Sequence, residues 1–120
     1  MLINKDIGKG FTEVLTPVAQ ATTDAYADVA GSKIDTGPRT IGSVAIVAKN
    51  THAANDINWK ILASIDDVTY VEVQAEATIQ QVSVGTPYTV GPAPYRFYKV
   101  QVKSTLAGTP GTAIIHVIAK

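Results

Sequence analysis

His52 and His116 are the chain's two histidines, and it has no cysteine. Metal or acid–base chemistry would need the two imidazoles to meet in space, with carboxylates to orient them. His52 lies in the polar stretch from Asn50 to Asp56, where Asp56 offers at most a weak shared metal contact. His116 stands between Ile115 and Val117 in a β-branched run. The pattern reads as one loop histidine and one strand-face histidine. Without cysteine there are no disulfides, thiolate metal centres or cysteine nucleophiles, and the redox compartment stays open.

The carboxylates and hydroxyls are equally sparse in chemistry. Asp66-Asp67 has the look of a calcium corner or an acid–base pair, but calcium takes about six to eight oxygens from spaced ligands. Adjacent strand positions point opposite ways, and a turn is needed here, so turn formation is the expected role. Asp24, Asp28 and Asp35 are separated by Tyr26, Val29 and Ile34, which suits a strand rather than a metal loop. Ser43, Ser64, Ser83 and Ser104 have no neighbouring base. No dinucleotide fingerprint, Walker loop, G-x-S-x-G or H-E-x-x-H occurs. The expectation is a protein that is not an enzyme and holds no cofactor or metal. Tyr88, Tyr95, Phe97 and Tyr98 give a second kind of candidate, since aromatic rings anchor interfaces and stack on sugars. Tyr98 is expected to pack inward with Val100 and Val102, and Tyr95 and Phe97 to cover the opposite sheet face.

The elements that carry these residues are strands. From Ile57 to Ile65 the residues Ile57, Trp59, Ile61, Ala63 and Ile65 alternate with Asn58, Lys60, Leu62 and Ser64, the period of two that separates the faces of a strand. Asp66-Asp67 breaks the pattern and Tyr70 to Val73 resumes it, which reads as a hairpin. The single tryptophan thus sits mid-strand as a core anchor. Burying it removes about 150–250 Å² from water, an upper-bound gain of about 4–6 kcal/mol.

The same reading places a strand over Thr12–Ala21 interrupted by Pro17, at an edge or bulge. Another runs from Tyr26 to Ile34 with a bend at Gly31. The β-branched run Arg39–Lys49 reads as a central strand covered on both faces. The hairpin's second strand continues through Val73, Ala75 and Ala77 with Glu72, Gln74 and Glu76 outward, although propensity alone would allow a helix over Glu72–Gln81. After Val82-Ser83-Val84, Gly85-Thr86-Pro87 and the cluster Gly91-Pro92-Ala93-Pro94 each mark a loop. Strands over Tyr95–Ser104 and Thr112–Lys120 complete the chain. The fold class expected is all-β: an antiparallel β-sandwich or jelly-roll-like barrel of about seven to eight strands.

Ten basic and ten acidic residues cancel, so no basic stripe points to nucleic acid or an anionic membrane. No apolar run approaches the roughly 20 residues of a membrane span, and the N-terminus lacks the pattern of a secretory signal. At 120 residues the chain suits one domain, expected over residues 12–120. Residues 1–11 form an extended arm whose Leu2, Ile3, Ile7 and Phe11 need a partner surface. Only 17% of residues are charged, below the about 25% usual for soluble domains, which implies that some surface is covered by a partner.

The hairpin W-K-I-L-A-S-I-D-D-V-T-Y from Trp59 to Tyr70, with P-Y-R-F-Y-K-V-Q-V-K-S from Pro94 to Ser104, resembles small virion proteins of tailed bacteriophages. Those carry W-x-x-x-x-S-x-D-G-x-x-[WY] and a later aromatic-Arg-aromatic strand, and are likewise rich in Ala, Thr and Val. The likeness spans residues 40–120, with Asp67 standing where glycine is usual. It implies a β-sandwich of capsid decoration or cement type, located in the virion after assembly in the host cytoplasm. Such proteins bind the major capsid protein or other virion proteins as symmetric homo-oligomers, a trimer being favoured, with the arm contacting neighbours. The hairpin is also similar to that of discoidin-like carbohydrate-binding modules. The alternatives are therefore a glycan-binding or host-attachment module using Tyr88, Tyr95 and Phe97, and a tail-tube or fibre subunit.

Overall fold

The computed structural model describes residues 13–15 (backbone only), 19–36, 43–83, 85–91 and 93–119. The arm residues Leu2, Ile3, Ile7 and Phe11 lie outside these, as do Pro17, Gly37-Pro38 and residues 39–42. The described chain forms ten strand segments: β1 (Glu13–Leu15), β2 (Gln20–Ala21), β3 (Ala27–Asp28), β4 (Ile34–Asp35), β5 (Val44–Asn50), β6 (Ile57–Ser64), β7 (Val71–Ile79), β8 (Thr86–Val90), β9 (Phe97–Ser104) and β10 (Thr112–Ala119). β1 and β2 both pair with β10, and β3 and β4 both pair with β9. Counted as two broken strands, these give eight strands in all.

Sheet A runs β1/β2–β10–β5–β8 and sheet B runs β3/β4–β9–β6–β7, with every pairing antiparallel. Apart from β6–β7, successive full strands cross from one sheet to the other, the connectivity of a jelly roll. The fold class expected from alternation is the one observed. Between Leu15 and Gln20 the pairing register with β10 moves by one residue, from Glu13↔Ala119 to Ala21↔Thr112. Gly31, at φ 77°, bends the second broken strand between Val29 and Lys33.

The core lies between the sheets. Trp59 and Tyr98 are fully buried there with Ile34, Ile46, Ile57, Ile61, Val100 and Val117. Strand β10 alternates without fault, Ala113, Ile115, Val117 and Ala119 inward and Ile114, His116 and Ile118 half-exposed. Strand β5 is central, as expected, but alternates in the same way. It is therefore covered on one face, not both, because no further layer lies on the outside of sheet A among the described residues.

Other expectations are corrected. Ile65, placed on the Trp59 face by period, is 73% exposed, because β6 ends at Ser64 and a loop begins. Leu62 and Ser64, expected outward, are buried. Strand β7 is a strand and not a helix, but its alternation fails: seven residues of β6, Ile57 to Ala63, are matched by nine of β7, Ile79 to Val71, through two register shifts. Gln74 thereby comes opposite Ile61 instead of facing outward. Thr86 and Pro87, read as part of a loop, begin edge strand β8 (Thr86–Val90) of sheet A; Pro87 is compatible with a ladder that has a free side.

The end of the sandwich away from the hairpin loop is tied by polar groups. Asn50, fully buried, donates to the carbonyls of Asn55 (2.7 Å) and Ile79 (3.3 Å). Its Oδ1 accepts from the N–H groups of His52 (3.1 Å) and Thr112 (3.2 Å). All its capacity is used, which is what makes a buried amide tolerable. Gly111 packs against this hub, where an added Cβ would come within 2.2 Å of Ile57 Cγ2.

Candidate interaction site

The loop from Ser64 to Tyr70 joins β6 to β7 and is folded by its own side chains. Ser64 Oγ accepts from the N–H groups of Asp66 (3.2 Å) and Asp67 (3.0 Å). Asp66 Oδ1 accepts from Val68 N–H, Thr69 N–H and Ser64 Oγ, each at 2.9 Å. These donors hold the Asp66 carboxyl below the ordinary aspartate range, with the Thr69 N–H the largest contributor. Asp67 adopts φ 62°, the left-handed conformation that glycine takes most freely. Aspartate tolerates it better than most side chains and adds an anchor. Lys33 donates to both its oxygens (2.9 and 3.0 Å) and the Tyr70 hydroxyl donates to the same carboxylate. The Lys33 ammonium, then Tyr70, depress the Asp67 carboxyl, while burial followed by the Asp67 carboxylate pushes the Tyr70 phenol up.

Two features result. A shallow cleft opens between the Gly31 turn and this loop, lined by Asp28, Lys33, Asp67, Val68, Tyr70 and Lys99. Its charges are already matched, for Lys99 bonds Asp28 at 3.2 Å and lies 4.3 Å from the Tyr70 ring centroid. The second feature is apolar. Ile65 and Val68 are 73% and 80% exposed, with Val71 at 43%, and Ile65, Val71 and Tyr95 line a groove beside the loop. A braced loop that presents apolar side chains to solvent loses little entropy on docking, and clustered exposed apolar groups mark contact surfaces.

Among the aromatic candidates, Tyr88 and Tyr95 are half-buried and pack on the core, and Tyr95 meets Tyr98 edge-on at 6.4 Å between centroids. Phe97 is 8% exposed, with the Arg96 guanidinium 5.0 Å from its ring. Arg96 itself forms a two-pronged pair with the buried Asp35, at 2.8 and 3.0 Å. Arg96 of the aromatic-Arg-aromatic motif and Ser64 and Asp66 of the S-x-D motif thus all make hydrogen bonds within the chain. His52 and His116 lie on different parts of the molecule: His52 Nδ1 caps its loop by accepting from Ala54 and Asn55 N–H at 3.0 Å, while His116 lies on the outside of sheet A, in register with Val47. Asp56 accepts from Gln81 N–H at 2.9 Å. Among the described residues no group of three or more His, Asp or Glu is placed to hold a metal, and no helix is long and apolar enough to cross a membrane.

Period alone places Val71 on a strand, but no local sequence signal shows that the hairpin would leave Ile65 and Val68 outside. The loop that carries them is tied to Lys33, 34 residues away from Asp67 in sequence.

No protein-family model matches this sequence, and no curated protein matches it. Similarity is found among solved structures. A chain from Bacillus endospore appendages, described as a family of disulfide-linked pili, matches over 91% of this chain and 85% of its own, with TM-score 0.58 and 14% identity. The Yersinia pseudotuberculosis-derived mitogen matches over 89% and 86%, with TM-score 0.56 and 8% identity. A chain of infectious bursal disease virus, Gx strain, matches over 91% of this chain but 32% of its own length, with TM-score 0.51 and 9% identity. What these chains share with this one is the fold.

Proposed function

We propose that this chain is a non-enzymatic structural subunit of a virion, of the capsid decoration or cement type, which bridges neighbouring capsomers. The observation that carries this reading is the braced loop with its outward Ile65, Val68 and Val71: a rigid apolar contact on a scaffold whose nearby charges are already paired. The groove wall contributed by Tyr95 belongs to the same contact. Occurrence of the fold in a pilus subunit and in a virus chain supports a role in assemblies. On this reading the arm residues Leu2, Ile3, Ile7 and Phe11 supply a second contact, and many copies on a lattice make weak contacts effective through multivalency.

The test is co-sedimentation with purified capsids that lack this protein. Deleting residues 1–11, or replacing Ile65 and Val68 together by Ser, should leave the domain folded by circular dichroism and abolish binding. Undiminished binding by both variants overturns the reading. Saturable glycan binding lost on Tyr95→Ala would replace it with host attachment through Tyr88, Tyr95 and Phe97.

A further inference from the structure

We propose that the groove beside the hairpin loop takes an apolar side chain from a protein partner, and that the partner segment carries Lys or Arg next to it to pair with Asp66. The inference rests on the reading of this loop as a contact surface and names the chemistry of what it contacts.

The groove has room for one side chain. Its volume, about 320 Å³, lies at the small end of ligand sites, about 300–1,000 Å³. The buried Ala63 and Ser64 lie at its base, and Ile65, Val71 and Tyr95 supply apolar wall. Pockets filled by a single anchor side chain are where the binding energy of interfaces concentrates. Asp66 is the one charged residue that lines the groove.

Asp66 selects the occupant, because it is the exception among the charges around the loop. Asp67 is paired with Lys33, Asp28 with Lys99 and Asp35 with Arg96. Among the described residues no cation pairs with Asp66, which is exposed. The N–H groups of Val68 and Thr69 bind its Oδ1 and fix its position. A partner that covers Ile65 and Val71 also strips water from this carboxylate, and a desolvated charge without a counter-charge is costly. A cation on the partner offsets that cost, whereas a carboxylate would add repulsion. The same argument opposes a second copy docked loop to loop about a two-fold axis, which would bring two Asp66 carboxylates into one interface.

The probe is N-acetyl-leucyl-arginine amide, titrated at low salt into the isotope-labelled full chain and followed by amide chemical shifts. The shifts should saturate and centre on Ile65, Thr69 and Val71. Binding should be about two- to five-fold weaker, the range of an exposed ion pair, for N-acetyl-leucyl-glutamine amide, and weaker again for the glutamyl analogue. Asp66→Asn keeps a side-chain oxygen for the Val68 and Thr69 N–H groups and should bind the arginyl and glutaminyl probes alike. Absence of saturable shifts at the groove, or equal affinity of the parent for the arginyl and glutamyl probes, overturns the proposal.

In co-sedimentation with capsids, Asp66→Asn should bind more weakly than the parent and respond less to salt. If it binds as the parent does while the Ile65 and Val68 variant fails, this inference falls and the virion reading stands. If the probes discriminate and no form of the protein sediments with capsids, the virion reading falls and the groove keeps its assignment.

Discussion

On the outside of sheet B, Tyr26 lies between Lys60 and Lys103, whose Nζ atoms are 4.3 and 5.2 Å from its ring centroid, and its hydroxyl donates to Glu76 at 2.6 Å. Tyr70 repeats the arrangement with Lys99 over its ring and Asp67 at its hydroxyl. On the outside of sheet A the matching positions hold Val47, Ile114 and Ile118. Both surfaces are built on central antiparallel strands with the same alternation. The difference teaches that the period of two sets which residues leave the core, and their chemistry then decides what each surface is for. Among the described residues, sheet B's outer face carries charges paired within the molecule, whereas the central strands of sheet A present apolar side chains.

That contrast assumes that neither outer face holds the sandwich together. Trp59, 0% exposed between the sheets, tests the assumption with the largest expected effect. Trp59→Ala should cost about 3–5 kcal/mol through lost burial and the cavity left behind, read from the urea midpoint. A loss well below this would mean that the outer surfaces carry stability that the contrast denies them.

The contrast was partly legible in the sequence. Alternation placed Trp59, Tyr98, Val100 and Val102 inside and Lys60 outside, because each lies in an unbroken strand whose local period equals its global one. It failed where that link breaks. In β7 two inserted residues change the side that follows them, and hydropathy at Gln74 or Ala75 does not signal an insertion. Ile65 follows the period but lies past the point where Ser64 and Asp66 divert the backbone. Pro87 and the flanking glycines resemble a loop, yet an edge strand accepts them. The site was less legible than the fold, since Lys33 and Asp67 or Tyr26 and Glu76 meet only after the sheets close.

Tyr26→Phe sharpens the comparison from the sheet B side. The ring stays under Lys60 and Lys103 while the hydroxyl is lost, so the expected destabilisation is at most about 1 kcal/mol for a surface hydrogen bond. A loss well above this, read from the urea midpoint, would mean that the sheet B surface holds the sandwich together after all.

The smallest effect lies at Asp67, where acid should loosen the loop and leave sheet A alone. Its carboxyl is depressed in the folded protein by the Lys33 ammonium and then by Tyr70, so the folded state binds the proton less readily than the unfolded chain. Stability from this group is complete above the unfolded value, about 3.9 for aspartate, and is lost as the pH falls through the lower folded value. Melting temperature followed from pH 5 downward should therefore fall less steeply in Asp67→Asn than in the parent. Asp66, depressed by its N–H donors, would account for acid sensitivity that remains. Tryptic cleavage after Lys33 or hydrogen exchange at Val68 and Thr69, measured near neutral pH, should show the loop opening in Asp67→Asn while Val47 and Ile118 amides stay protected. Equal exchange in parent and variant would mean that Ser64 and Asp66 brace the loop unaided, and that the long-range tie to Lys33 is not what presents Ile65 and Val68.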